Sequence, residues 1–183
     1  NTGNQIQIKN SIIQHGDGIY ISNGGSNILI ENNVLSGLHS WPHNPGGLDE
    51  QPFPWQNAQM GIAATGGGAN IVIKNNLIYA FSQAGIKLET NDCDIIGNTI
   101  AFCYDWKSSA SNPILLQAQA ANAKCGFGIR IKTVTGATIR NNILAYNYRG
   151  IGIYPGYGGP DAASTIEYNN VFGGDTAGLT ALG

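Results

Sequence analysis

Charge is scarce in this sequence. Only 11% of the 183 residues are Asp, Glu, Lys or Arg, and their formal net charge is −2. No run of Lys or Arg occurs, so the basic footprint of a nucleic-acid binder is missing. No apolar stretch approaches the roughly 20 residues of a membrane-spanning helix. The opening residues, NTGNQIQIKN, have no apolar core like that of a signal peptide, which suits a mature or trimmed chain. Cysteine is limited to Cys93, Cys103 and Cys125, and three cannot all pair within one chain. Two alternatives stand open: buried free thiols, or one Cys103–Cys125 disulfide closing the base of an insertion. The disulfide would contribute about 3 kcal/mol by the loop-entropy model and would indicate export. Metal-ligand motifs are also missing, with neither HExxH nor a CxxC pair. His39 and His43 lie four apart, but Pro42 and Pro45 prevent a regular helical metal site. No metal site and no cofactor are therefore expected. Calcium at acidic turns such as Asp92 and Asp94 is the one ion left open.

Asn and Gly supply the polarity that charge does not. The chain has 26 Gly, and Asn recurs in pairs along it. Asn, Gly and β-branched residues are poor helix formers, which argues against a helical bundle. The low charge and the many branched apolar residues argue against disorder.

A repeat dominates the sequence. One phrase, apolar-x-Asn-x-apolar, runs Ile8-Lys9-Asn10-Ser11-Ile12, Ile30-Glu31-Asn32-Asn33-Val34 and Ile73-Lys74-Asn75-Asn76-Leu77. It continues as Ile96-Gly97-Asn98-Thr99-Ile100 and Ile139-Arg140-Asn141-Asn142-Ile143, with a looser copy at Tyr168-Asn169-Asn170-Val171. A second phrase, Gly-Ile-x-apolar, follows each of the first five, as at Gly85-Ile86-Lys87-Leu88 and Gly128-Ile129-Arg130-Ile131. The Asn-to-Asn intervals are 22, 43, 23, 43 and 28, which gives a basic unit of 22 residues and two long units. Each unit holds short period-2 strands between Gly/Asn/Ser turns. A helical solenoid needs longer repeats, and a leucine-rich repeat would carry its Leu scaffold. A right-handed parallel β-helix of about six coils remains, spanning 1–183 as one domain.

In such a solenoid Ile8, Ile30, Ile73, Ile96 and Ile139 are expected to form one inward column, and Ile19, Ile62, Ile86, Ile129 and Ile151 another. Asn10, Asn32, Asn75, Asn98 and Asn141 are expected at a bend, since Asn tolerates left-handed backbone. Their amides would bond from coil to coil as a ladder. No capping element is visible in the sequence, and Ile6 and Ile8 already belong to a coil. The chain is therefore expected to be part of a longer polypeptide or to self-associate end to end.

The repeat resembles the parallel β-helix repeat family, part of the pectate-lyase-like superfamily, from Gln5 to about Phe172. That resemblance implies the fold. The superfamily holds polysaccharide lyases, glycoside hydrolases, epimerases, tailspikes and adhesins, so it does not select one activity. Locally, Gly128-Ile129-Arg130-Ile131-Lys132-Thr133 looks like the polygalacturonase segment whose Arg and Lys grip a substrate carboxylate. The three aspartates and the Gly-His-Gly of that family are absent from the neighbouring coils, so its activity is not implied.

Two interruptions of the repeat carry the remaining chemistry. Asn10 to Gly18 is 8 residues, whereas Asn32 to Gly61 is 29 and Asn98 to Gly128 is 30. The insertions, about 37–60 and 102–127, leave the same corner two coils apart, roughly 10 Å along the axis. They contain every Trp (Trp41, Trp55 and Trp106), with His39, His43, Asp49, Glu50 and Asp105. Flat aromatic faces and polar groups of this kind suit sugar rings and hydroxyls, so these eight residues are the candidate glycan-binding set. A short helix is expected in the second insertion, capped by Asn112 with Pro113 at its first position and Ile114 to Lys124 as its body. On the outward side of the second phrase, Lys87 and Arg130 should be neighbours, as should Glu89 and Lys132. These four are the candidate catalytic groups, because β-helix lyases pair a Lys or Arg base with positive charge that neutralises a uronate.

The expected function is that of a secreted carbohydrate-binding protein, extracellular or at the cell surface, with polysaccharide cleavage by a lyase or glycoside hydrolase mechanism left open. The alternative is a non-catalytic structural or adhesive module stacking into a larger assembly. A purely structural solenoid needs no aromatic insertions at one corner, whereas the lack of an evident acid–base pair favours the structural alternative.

Overall fold

The computed structural model describes residues 5–14, 18–22, 24–37, 59–103, 126–154 and 157–173, together with the backbone of 105–108 and 116–119. The strands form three parallel sheets. Sheet one stacks β1 (Ile6–Lys9), β4 (Ile28–Glu31), β7 (Ile71–Lys74), β10 (Cys93–Ile96), β15 (Thr138–Arg140) and β18 (Thr165–Glu167). Sheet two stacks β2 (Ile12–Gln14), β5 (Val34–Ser36), β8 (Leu77–Tyr79), β11 (Thr99–Ala101), β16 (Ile143–Ala145) and β19 (Asn170–Phe172). Sheet three stacks β3 (Ile19–Ile21), β6 (Met60–Thr65), β9 (Ala84–Glu89), β14 (Phe127–Ile131) and β17 (Arg149–Ile153). The chain visits sheets one, two and three in turn, and each strand pairs with its counterpart one coil away. This is the parallel β-helix expected from the repeat.

Alternate side chains point inward and fill the solenoid. The column Ile19, Ile62, Ile86, Ile129 and Ile151 is in register and buried. The first column differs from expectation by one residue. Ile95, not Ile96, pairs with Ile73 and with Ile139. The five-residue phrase in that coil is therefore displaced by one, and Gly97 stands where Asn75 and Asn141 stand in their coils.

The displacement separates two roles that Asn plays. The left-handed bend is made by Asn10, Asn32, Asn75, Gly97, Asn141 and Tyr168, with φ between 53° and 67°. The ladder is made by the next residue: buried Asn33, Asn76, Asn98 and Asn142, and half-buried Asn169. Each ladder Oδ1 accepts from the backbone N–H of the residue one coil before, at 2.9–3.0 Å. Each Nδ2 donates to a carbonyl in the preceding coil, Ile8, Ile30, Ile73, Ile95 or Ile139. The bend tolerates Gly because only backbone freedom is required there, whereas the ladder needs an amide that both donates and accepts. The expectation that the same Asn makes both bend and ladder is therefore corrected: Asn98 is in the ladder with Gly97 at its bend, whereas Asn10, Asn32, Asn75 and Asn141 are at the bend, and the residue after Asn32, Asn75 and Asn141 in each case enters the ladder.

Both insertions leave between sheets two and three, as expected. The second contains an antiparallel hairpin, β12 (Asp105–Ser108) paired with β13 (Leu116–Gln119). That corrects the helix expected over Ile114 to Lys124. Leu116–Gln119 takes its backbone bonds from a facing strand, and such pairing overrides weak helix propensity. Of the two alternatives left open for Cys103, the free thiol holds and not the disulfide. Cys93 and Cys103 are free, buried thiols, while Cys125 lies outside the described residues. Cys103 faces into the core, away from the insertion, where its Sγ lies 3.4 Å from the position a Cβ on Gly85 would take.

Candidate binding face on sheet three

Sheet three presents one flat outward face beside the corner from which the insertions depart. The segments flanking the insertions pack on the third coil. Gln83 N–H donates to the carbonyl of Gln59 at 2.9 Å, and Gly126 N–H donates to that of Ser82 at 2.9 Å. Lys87 and Arg130 are register partners on β9 and β14. Their neighbour on β17 is Gly152, where a Cβ would fall 2.6 Å from the Phe127 ring.

Glu89 is the hub of the charges. Its Oε1 lies 2.8 Å from Lys87 Nζ and 2.6 Å from Lys132 Nζ. Burial pushes the Glu89 carboxyl up, but the two ammonium groups outweigh it and hold the group below its usual range. Burial likewise pulls Lys132 down, and contact with Glu89 and with the Tyr157 hydroxyl outweighs it, so its ammonium form is strengthened. Arg130 is 4% exposed. Its Nη1 donates to Gln83 Oε1 at 3.3 Å, and its guanidinium lies 4.8 Å from the centre of the Tyr154 ring. Lys132 Nζ sits 4.6 Å from the Tyr157 ring centre, and the two tyrosine rings are 5.4 Å apart.

The structure therefore brings together Lys87, Glu89, Arg130 and Lys132, the four groups chosen from the sequence. Of the aromatic insertion set, Asp105 and Trp106 lie on β12, where the backbone alone is described. Trp41, Trp55, His39, His43, Asp49 and Glu50 lie outside the described residues. Sequence reasoning missed Gln83, Tyr154 and Tyr157. Tyr154 was within reach: Tyr154 N–H donates to the Ile131 carbonyl, so it follows Ile153 as Lys132 follows Ile131. Tyr157 arrives by a turn and left no periodic signal. Among the described residues, no group of three or more His, Cys, Asp or Glu converges as a metal site. Nor is any helix there long and apolar enough to cross a membrane.

Comparison with known families agrees with this architecture. The sequence matches the family described as the right-handed β-helix region over residues 1–183. The chain belongs to that family. No curated protein and no solved structure matches it. In this right-handed β-helix, as in any widely shared fold, function resides in its own side chains and not in the fold.

Proposed function

We propose that this β-helix is an exported protein that binds an anionic polysaccharide across the outward face of sheet three. The observation that carries the reading is the cluster Lys87, Arg130 and Lys132 against the single Glu89, three positive charges and one negative, on a chain whose net charge is −2. Tyr154 and Tyr157 lie over two of the cations and add flat surface for sugar rings. The insertions beside this face carry Trp41, Trp55, Trp106 and the polar groups expected to extend the contact. Binding is favoured over cleavage. A general acid or base works best with a pKa near the operating pH, whereas, against the effect of burial, contact between the two moves Glu89 down from 4.5 and Lys132 up from 10.5, both away from neutrality.

The test is calorimetric titration with polygalacturonate and with dextran, at low and high salt. Salt-sensitive binding of the polyanion alone is expected, falling at least about tenfold in Lys132→Gln, the loss of one charge-assisted contact. Trp106→Ala should weaken binding with an almost unchanged melting temperature. Equal binding of dextran, or no binding of either polymer, would refute the reading. Appearance of unsaturated sugar products would replace binding with lyase activity.

A further inference from the structure

Two Lys–Glu–Lys triads stand on the outside of the solenoid, and they are built differently. On sheet one, Lys9, Glu31 and Lys74 are register partners on three successive coils. Lys9 Nζ lies 3.2 Å from Glu31 Oε2 and Lys74 Nζ lies 3.0 Å from Oε1, so each lysine takes its own oxygen. The two lysine side chains are 34% and 37% exposed. This is an open cross-strand ladder in which charges of alternating sign follow one another.

On sheet three both lysines converge on a single oxygen, Glu89 Oε1. Lys87 reaches it from two residues earlier on β9. Lys132 reaches it from the next coil, where its N–H donates to the Leu88 carbonyl at 3.0 Å. These two side chains are 14% and 22% exposed. Lys132 Nζ is enclosed further by the Tyr157 ring and by the Tyr154 ring, 5.5 Å from the centre of the latter. On the preceding coil Thr65 is the register partner of Glu89 and adds no charge, its hydroxyl donating to the Ile21 carbonyl at 3.1 Å. Arg130, one column away, is engaged by Gln83 and Tyr154. Two ammonium groups aimed from two coils at one oxygen atom form a receptor for an anionic oxygen. A side chain of the protein itself fills it.

We propose that Glu89 is an internal stand-in for the ligand. In the free protein it holds the point between Lys87 and Lys132 that an acidic group of the polysaccharide takes on binding, and the ligand must displace it. Displacement presupposes the reading of sheet three as the face for an anionic polysaccharide. Exchanging one carboxylate for another at the same two cations gains little at that point, so a single small anion competes poorly with Glu89. A polymer succeeds because its other contacts along the face keep an acidic group at high local concentration. Once displaced, Glu89 keeps the burial that pushes its carboxyl up and loses the two ammonium groups that hold it below 4.5. The complex should therefore take up protons near that pH.

The test is calorimetric titration with polygalacturonate at neutral pH, with circular dichroism to verify folding. Glu89→Gln should bind about tenfold more tightly than the wild type, the order of one hydrogen bond to a charged group. Glu31→Gln removes the same charge from the sheet-one ladder and should bind like the wild type. Adding Lys132→Gln to Glu89→Gln should erase the gain. At pH 4.5, titration of the wild type in two buffers of different ionisation heat should show proton uptake on binding, absent in Glu89→Gln. A uronate settling beside lysines releases protons instead, so the sign of the wild-type exchange decides even where that variant does not fold. Equal or weaker binding by folded Glu89→Gln overturns the proposal and leaves Glu89 as a residue that positions the lysines. An equal gain in Glu31→Gln overturns it too, by reducing the effect to net charge. Binding by neither the wild type nor Glu89→Gln overturns both the stand-in and the choice of sheet three as the binding face.

Discussion

A buried asparagine brings two N–H donors and one carbonyl oxygen that must find partners. Asn98 satisfies them completely: its Nδ2 donates to the Ile73 carbonyl and to Asn142 Oδ1, while its Oδ1 accepts from Asn76. Replacing it with Ala would leave the Ile73 carbonyl and the Asn76 N–H short of a partner inside the solenoid. Each unsatisfied buried group costs about 1–3 kcal/mol, so Asn98→Ala should lose about 3 kcal/mol or more in urea unfolding. At the neighbouring bend the demand is on the backbone alone. Asn75, at φ 56°, should tolerate Gly with little change and lose about 1–2 kcal/mol on replacement by Ala. Equal costs at Asn98 and Asn75 would contradict the division of roles between them.

The Gly of the second phrase shows what an element needs from its neighbours. At Gly128 an added Cβ would lie 2.5 Å from Leu144 Cδ2 and 3.0 Å from the Gly150 carbonyl oxygen. At Gly85 it would strike Ile100 Cγ2. Strands of sheet three thus enter tightly against the inward residues of sheet two. Gly85→Ala should destabilise by about 1–3 kcal/mol through overpacking, detected as a lowered denaturant midpoint. One ion pair, Glu89 with Lys132, joins β9 to the next coil. Glu89 has its folded-state value lowered from 4.5, so its contribution is present above pH 4.5 and is lost as pH falls through the folded value. Lys132 has its value raised from 10.5, so its contribution is present below that pH and is lost as pH rises through the folded value. Glu89→Gln removes the shared partner and should flatten both flanks of the melting temperature against pH. An unchanged acid flank would show that Glu89 is not its source.

As a whole, the molecule is a stack in which each coil touches its immediate neighbours, so stability should be nearly a sum over coils and their interfaces. Removing one unit in register should therefore shorten the solenoid without abolishing it. Asn76 and Asn98 are 22 residues apart in the ladder. Deleting 77–98 joins Asn76 to Thr99 and sets Asn76 against Asn142 in place of Asn98. The shortened chain should retain a β-type circular dichroism spectrum and unfold cooperatively at a melting temperature several degrees lower. Deleting 77–97 instead shifts the register by one residue and turns every inward side chain of the joined coil outward. That variant should not fold, and two variants with equal melting temperatures would contradict the argument.

The sequence by itself determined the parallel solenoid, the corner from which both insertions leave and the pairing of Lys87 with Arg130, because a period-2 pattern repeated once per coil leaves few alternatives. It did not determine which Asn of each pair enters the ladder. Gly97 and Asn98 satisfy the apolar-x-Asn-x-apolar phrase in a displaced register, and only the pairing of Ile95 with Ile73 and Ile139 resolves it. Helix propensity pointed the wrong way over Leu116–Gln119, because a strand pairing with Asp105–Ser108 is invisible to a local rule. Cys103 gave no sign that it faced inward until the third coil was packed against it. The site follows the same division. Its charges could be read from one strand and the next, whereas Gln83 and Tyr157 join them through turns whose course no periodicity encodes. Repetition makes local sequence sufficient along the axis of this fold; around its corners, geometry is set by whichever side chains the stacked coils bring into contact.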